Sequence, residues 1–414
     1  MATAMTLLRQ PLVLYSRSRP LPKACAFLPK HISRLQATPP SLPTRHFLST
    51  TSSMSSDTTS KLSFHVAASF NGKDRPYDPS THIFHFNPYN RIQQTRNKRS
   101  RPDSGHDAFF ISRVGDSGAV ALGVADGVGG WVDSGVDPAD FSHGLCDYMA
   151  SAAYGHGPVK NDSTTKGTGD KESLRARALM QTGYQAICED NTVIAGGSTA
   201  CVAVASPDGN LDVANLGDSG FIQLRLNAVH TYSEPQTHAF NTPYQLSIVP
   251  PSIAARMAAF GGAKLCDFPA DADVAQHSLR HGDIIVFATD GVWDNLFNQD
   301  ILRIVSHVMT ETGAWVMGKD GVSVVDNLKP LTKPSEDAAE RPPSKFLTLQ
   351  SVLAAEITAA AKSASLNRKV DGPFAKGVQR YFPRENWHGG KIDDICVVVL
   401  IATDDSKAQP KSRL

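Results

Sequence analysis

Residues 285–294 read Ile285-Val286-Phe287-Ala288-Thr289-Asp290-Gly291-Val292-Trp293-Asp294. An apolar run the length of a buried strand delivers an Asp to its end, and a Gly follows at once. One Asp-Gly pair is a common turn and says little. Here the design repeats. Val124-Ala125-Asp126-Gly127-Val128-Gly129-Gly130-Trp131 also ends an apolar strand on Asp and Gly. Gly389-Gly390-Lys391-Ile392-Asp393-Asp394 places two acids at the opening of the apolar run Ile395–Ala402. Asp107, in Gly105-His106-Asp107-Ala108-Phe109-Phe110, stands just before another strand. Strand ends are rigid, so these carboxylates can converge. Converged carboxylates repel and raise each other's pKa unless a cation neutralises them. Hard oxygen donors of this kind suit Mg²⁺ or Mn²⁺. Two such ions would acidify a water for in-line attack on phosphorus, with no Ser, Cys or His nucleophile. The sequence has neither a G-x-S-x-G elbow nor a G-x-x-x-x-G-K-[ST] phosphate loop.

Around these points, strand signals lie at Ala108–Val114, Ala119–Ala125, Thr199–Ala205, Leu211–Asn215, Phe221–Arg225, Asp283–Ala288 and Ile395–Ala402. Helical periodicity marks Ala139–Ala153, Glu172–Cys188 and Leu347–Leu366. Helices come singly or in pairs between groups of strands, which predicts an α+β layer fold with largely antiparallel sheets.

Of the 414 residues, 41% are hydrophobic and 20% charged, which excludes a wholly disordered chain. The formal net charge of +1 argues against a dedicated nucleic-acid binder. No run approaches a membrane-spanning length. The near-zero balance hides an asymmetry. Seven basic residues (Arg9, Arg17, Arg19, Lys23, Lys30, Arg34 and Arg45) precede the first acid, Asp57. Of 41 basic residues, the 34 others face 40 acids, a balance of −6. An acid-free, Arg-containing, hydroxyl-rich N-terminus reads as a mitochondrial transit peptide, although a chloroplast address has the same composition. The Ser/Thr-rich stretch 49–60 reads as a linker. Residues 1–60 are thus an address plus linker, and 62–403 a single domain. Its loops lie near 155–171 and 317–344, and 404–414 form a tail. The basic cluster Arg91, Arg96, Lys98, Arg99 and Arg101 reads as a solvated loop. The six cysteines show no CxxC pair, and Cys201 and Cys396 read as buried small hydrophobes.

From Gly105 to Ala402 the chain resembles the metal-dependent protein Ser/Thr phosphatases of the protein phosphatase 2C family. Asp126-Gly127, Gly197-Ser198-Thr199-Ala200, Gly217-Asp218-Ser219, Asp290-Gly291-Val292-Trp293-Asp294 and Asp393 match its motifs in order. Asp394 is the adjacent alternative to Asp393. The wording of Gly123–Trp131, Asn215–Phe221 and Phe240–Ser247 is similar to the mitochondrial homologue-7 branch. The resemblance implies a sandwich of two mainly antiparallel β-sheets flanked by α-helices, a four-layer αββα fold. It implies two Mn²⁺ or Mg²⁺ ions and hydrolysis of phosphoserine and phosphothreonine in the mitochondrial matrix. Implied partners are phosphorylated mitochondrial proteins, enzymes of coenzyme Q biosynthesis among them, with no nucleic acid and no stable membrane span. By position, Asp126 bridges both ions, Gly127 ligates one through its carbonyl, and Asp290 and Asp393 hold the other. Asp107 acts through a metal-bound water, and Asp294 serves a weak third site. Gly197–Ala200 and Gly217–Ser219 read as sheet and turn formers, and Trp131 and Trp293 as packing anchors.

Three positions depart from the family pattern. Val128 stands where many members carry a proton-donating His. Pro102 stands where many carry a phosphate-binding Arg, leaving the neighbouring Arg101 as the candidate. Thr192–Gly196 holds no carboxylate where a third-metal ligand is expected. The first two departures leave a catalytically impaired regulator that binds phosphoproteins as an alternative, and the third argues against a third metal site. A metal hydrolase of small phosphoesters is a further alternative.

Overall fold

The computed structural model describes residues 61–89, 97–157, 173–259, 266–333 and 347–408. The expected address and linker lie outside the described residues. So do Arg91, Arg96, most of the 155–171 loop and part of 317–344.

The run Ile395–Ala402 shows how the layers arise. Cys396, Val398, Leu400 and Ala402 pack in one apolar cluster. Ile395, Val397, Val399 and Ile401 pack in another on the opposite face. A strand that is apolar on both faces has to lie between two layers. The strands of the sandwich, numbered in chain order, form two sheets. One has the order β2 (Ile83–His85), β1 (Leu62–Asn71), β11 (Ile395–Asp404), β10 (Ile284–Ala288), β7 (Gly220–Arg225) and β8 (Ala228–Tyr232). The other has the order β9 (Asp273–Ser278), β6 (Asn210–Leu216), β5 (Ala200–Ala205), β4 (Val120–Asp126) and β3 (Asp107–Arg113). Neighbouring strands in both sheets pair antiparallel.

Phe109, Leu122, Val124, Cys201, Phe287 and Val398 fill the space between the sheets. Helices α1 (Pro138–Tyr154) and α2 (Ala176–Glu189) cover the outer face of the five-stranded sheet through Phe141, Leu145, Leu179 and Ile187. Helices α3 (Asn298–Glu311) and α4 (Leu349–Leu366) cover the six-stranded sheet through Ile301, Val305, Leu353 and Ile357. Each fully buried Leu or Phe contributes roughly 1.5–3 kcal/mol by leaving water. The expected α+β sandwich of two antiparallel sheets between helical layers is what the chain forms. Helix α1 starts where its sequence says it should: Asp137 accepts the Ala139 N–H, and Pro138 needs no donor partner in the first turn.

The expected loop over 317–344 is partly wrong. Trp315–Gly318 and Gly321–Val324 form a hairpin, followed by a helical turn at Lys329–Thr332. The prolines that suggest a loop follow the hairpin, whereas Val322 and Val324 alternate as a strand and Trp315 anchors it in the core. The tail is shorter than expected too, since β11 continues to Asp404 and a turn spans Asp405–Ala408. No helix among the described residues is long and apolar enough to cross a membrane.

Candidate functional site

Antiparallel pairing brings the ends of β4 and β10 and the starts of β3 and β11 to one edge of the sandwich. Asp107 opens β3 and Asp126 closes β4, and the two are direct cross-strand partners. Opposed residues on paired strands share a face, so both carboxylates point the same way. On the other sheet, the Thr289 N–H donates to the Cys396 carbonyl at 3.1 Å, and the one-turn helix Asp290–Trp293 follows. Asp290 and Asp294 lie on this turn, and Asp393 lies just before β11.

Glycine is required at two of these corners. A Cβ on Gly291 would collide with the Asp394 carbonyl oxygen. A Cβ on Gly127 would lie 2.7 Å from the Pro138 oxygen and 2.9 Å from that of His106. Both glycines let backbone approach backbone beside the acids.

The acids feel one another. Burial raises the Asp107 carboxyl well above the usual range, Asp394 adds to this, and the Thr289 hydroxyl opposes it from 2.7 Å. Burial likewise raises Asp126, with Asp290 and Asp107 adding. Burial raises Asp393 too, with Asp290 adding and Lys391 opposing. Burial pushes Asp294 up to about 7 with help from Asp290, although Lys391 opposes the shift. A divalent cation among these carboxyls would favour their charged forms and lower them again.

Asp218 joins the same group. It occupies the turn after β6, burial and the charges of Asp290 and Asp294 raise its carboxyl, and its Oδ1 is buried without a hydrogen-bond partner. A turn-forming role describes the rest of Gly217–Ser219, but misses this carboxylate. Thr199 likewise does more than shape the sheet: its Oγ1 accepts the Asp126 N–H at 3.1 Å and meets the Ser219 hydroxyl at 2.7 Å.

Lys391 is the second residue that sequence reasoning missed. Its Nζ lies 2.6 Å from Asp290, 2.6 Å from Asp294 and 3.0 Å from Asp393. Burial works against its charge, but the three carboxylates outweigh burial and hold the ammonium protonated. The sequence signal was a Lys two residues before the expected ligand Asp393. Among the described residues no three Asp, Glu, His or Cys side chains converge as a ready-made cation pocket. The lysine nitrogen stands among three of the acids instead.

The remaining expectations divide. Asp394 does not share Asp393's role: it accepts the Lys73 N–H at 2.7 Å and the His106 N–H at 2.8 Å, and so ties two loops to β11. Arg101 is held 2.9 Å from Asp140 and 3.5 Å from Asp137. A phosphate at Arg101 would have to compete with both. Trp131 is buried and donates to Gln245 at 3.0 Å, and Trp293 donates to the Ala288 carbonyl at 2.7 Å. Cys201 and Cys396 are buried free thiols. Beside the acids runs a groove of about 420 Å³, lined by Asp218, Tyr232, Glu234, Trp293, Phe297 and Pro373.

Comparison with known proteins fixes the family. No family model matches the chain. It is 33% identical over 301 residues to the 5-azacytidine resistance protein azr1 of Schizosaccharomyces pombe, covering 72% of this chain and 82% of that one. It is 33% identical over 304 residues to the protein phosphatase PTC7 homolog fig of Drosophila yakuba, covering 73% and 77%. The chain belongs to the PTC7 branch of the protein phosphatase 2C family. The Homo sapiens PTC7 homolog is 38% identical over 203 residues, which span 48% of this chain and 59% of that relative. Among solved structures, the photosystem II phosphatase PBCP aligns with 82% of this chain and 98% of its own, at a TM-score of 0.49 and 21% identity. In this PTC7-branch chain, the Asp126-Gly127 and Asp290-Gly291 corners lie in the acid cluster at the sandwich edge.

Proposed function

We infer that the chain is a metal-dependent protein serine/threonine phosphatase. The observation that carries this reading is the cluster of Asp107, Asp126, Asp218, Asp290, Asp294 and Asp393 at one edge of a phosphatase-family sandwich. All the side-chain donors are hard oxygens, and Asp218 Oδ1 is left without a partner. This set fits Mn²⁺ or Mg²⁺ and does not fit a soft metal. Asp126, the Gly127 carbonyl, Asp290 and Asp393 are the residues that would hold two ions. When bound, the ions would neutralise the carboxylates and phosphate oxygens and acidify a water for attack on phosphorus.

The chain's own groups do the positioning. Asp107, fixed by Thr289 and opposed to Asp126, would orient the attacking water. The Thr199 hydroxyl holds the backbone from which Asp126 projects. Val128 has no proton to give, so the leaving alkoxide draws its proton from water rather than from this side chain. The groove beside Asp218 offers Tyr232, Trp293 and Phe297 to residues flanking a phosphorylated Ser or Thr, which favours phosphoproteins over small phosphoesters.

The full chain should hydrolyse a phosphothreonine peptide only with Mn²⁺ or Mg²⁺, and prefer it to nucleotides. Absent turnover would overturn this reading in favour of a phosphoprotein-binding regulator, and metal-independent turnover would overturn the metal-dependent mechanism. The acid-free N-terminus supports action in the mitochondrial matrix, and the resemblance to the mitochondrial homologue-7 branch supports phosphorylated proteins there as substrates, enzymes of coenzyme Q biosynthesis included. Residues 1–56 fused to a reporter should direct it to mitochondria, and a diffuse or plastid signal would reject that address.

A further inference from the structure

We propose that the groove beside Asp218 is a subsite for an arginine side chain of the substrate, close in sequence to the phosphorylated Ser or Thr, and that Glu234 selects it. The inference rests on the phosphatase reading above.

One wall of the groove is tied to the turn that carries Asp218. The segment after β8 is held there at two points. Ser233 Oγ accepts the Phe221 N–H at 2.9 Å, and the Ser233 N–H donates to the Phe221 carbonyl at 3.0 Å. The Gln236 N–H donates to the Gly217 carbonyl at 2.9 Å, and Gln236 Nε2 donates to the Asp271 carbonyl at 3.1 Å. A Cβ on Gly220 would collide with Ser233 Oγ, so the first anchor needs glycine at that position. Glu234 and Pro235 span the two anchors and line the groove. The backbone of Glu234 is therefore fixed, while the residue stays exposed and forms no ion pair with a described residue.

The lining has the chemistry of a cation site. Tyr232, Trp293 and Phe297 supply aromatic rings, Asp218 and Glu234 supply carboxyl groups, and no Lys, Arg or His among the described residues lines it. Tyr232 is 48% exposed and Phe297 45%, so both rings are open to an incoming side chain. An aromatic face attracts a cation, and a guanidinium stacks on it while its N–H groups pair with a carboxylate. A lysine ammonium satisfies the carboxylate but does not stack. The start of α3, on the other wall, does not call for an anion instead. Asp300 already accepts the Phe297 N–H there at 2.9 Å and offsets the first turn. At about 420 Å³ the groove suits a short piece of extended peptide better than a folded surface. Asp218 belongs both to the groove and to the acid cluster. Extended chain advances about 3.3 Å per residue, which sets the arginine within about three positions of the phosphorylated residue.

The test is kcat/KM of the full chain with Mn²⁺ on alanine-rich phosphothreonine peptides. Each peptide carries one Arg, Lys, Leu or Glu within about three positions of the phosphothreonine, on either side. At one position wild type should prefer Arg to Glu by about tenfold, and Arg to Lys or Leu by about threefold. Glu234→Lys should reverse the order of Arg and Glu at that position and leave the ratios at the others unchanged. Tyr232→Leu combined with Phe297→Leu keeps the walls apolar and removes two rings, and should bring Arg down to the level of Lys. Each comparison is a ratio within one enzyme, so a loss of folded protein cancels. No position that favours Arg, a preference for Leu over Arg, or an Arg-to-Glu ratio that Glu234→Lys leaves unchanged would overturn the subsite. An Arg-to-Lys ratio that survives loss of both rings would overturn the choice of arginine. No turnover of any of these peptides by wild type would instead overturn the phosphatase reading on which the subsite rests.

Discussion

The Thr289 hydroxyl joins the two sheets at the acid cluster. It donates to Asp107 Oδ2 at 2.7 Å, on the strand pair opposite its own, and accepts the Cys396 N–H at 3.0 Å. Thr289→Val keeps the shape and removes both bonds, leaving a buried carboxylate and a buried N–H without a partner. The expected cost is roughly 1.5–3 kcal/mol in chemical denaturation, together with weaker Mn²⁺ binding. Unchanged stability and Mn²⁺ affinity would show that the bond positions nothing.

Asp290 sits where Lys391, Asp393 and Asp294 meet. Asp290→Asn should lower phosphopeptide turnover by about 10²-fold or more, the scale of losing a catalytic metal, while circular dichroism stays native. Activity within a few fold of wild type would mean that the site has been misplaced.

Two glycines near the cluster should behave in opposite ways. Gly291→Ala drives a methyl into the Asp394 carbonyl, which is backbone and cannot step aside. It should destabilise the fold by about 1–3 kcal/mol or more. Gly129→Ala meets nothing within 4 Å and should change stability by no more than about 0.5 kcal/mol. Similar melting temperatures for the two variants would contradict this packing.

Acid should weaken the fold through buried His143 and half-buried His65. Burial and the Arg101 charge push His143 down to about 3, and burial and Lys333 push His65 down to about 4. The unfolded chain takes up protons at both near pH 6.5, whereas the folded chain resists. Their stabilising contribution is therefore full above about 6.5 and is lost as pH falls through 6.5 toward 4 and 3. Each should contribute a slope of about 1.4 kcal/mol per pH unit within its window. His143→Asn should flatten the pH dependence of unfolding between pH 6 and 4, and an unchanged slope would show that His143 does not resist protonation.

Part of this molecule is legible residue by residue. Strand β11 reads from its composition, and its period of two predicts burial on both faces. The Asp-Gly corners at 126 and 290 read from the abrupt end of an apolar run. Helix α3 does not read, because its start at Asn298-Gln299-Asp300 is polar and its buried face is only Ile301, Val305, Val308 and Met309. Strand β1 mixes Ser63, His65 and Ser69 with its apolar residues, so its pattern is broken even though pairing with β11 fixes it in the sheet. The hairpin from Trp315 to Val324 is masked by the prolines that follow it.

Taken alone, the sequence determined that the long apolar runs become strands, which acids end them, and where glycine must let the backbone turn. Those are local matters, set by side-chain alternation and by sterics at single residues. Only the tertiary structure decided which charges meet. Antiparallel pairing sets Asp107 opposite Asp126, and packing of the second sheet adds Asp290 and Asp393 from far along the chain. The Gly-Asp-Ser turn marks Asp218 and the neighbouring Asp393 marks Lys391, but neither mark says that the side chain joins the acid cluster. Lys391 reaches Asp290 across 101 positions because β10 and β11 pair and Asn295 fixes the loop between them. Coulomb energy depends on distance in space and on burial, and a linear sequence contains neither.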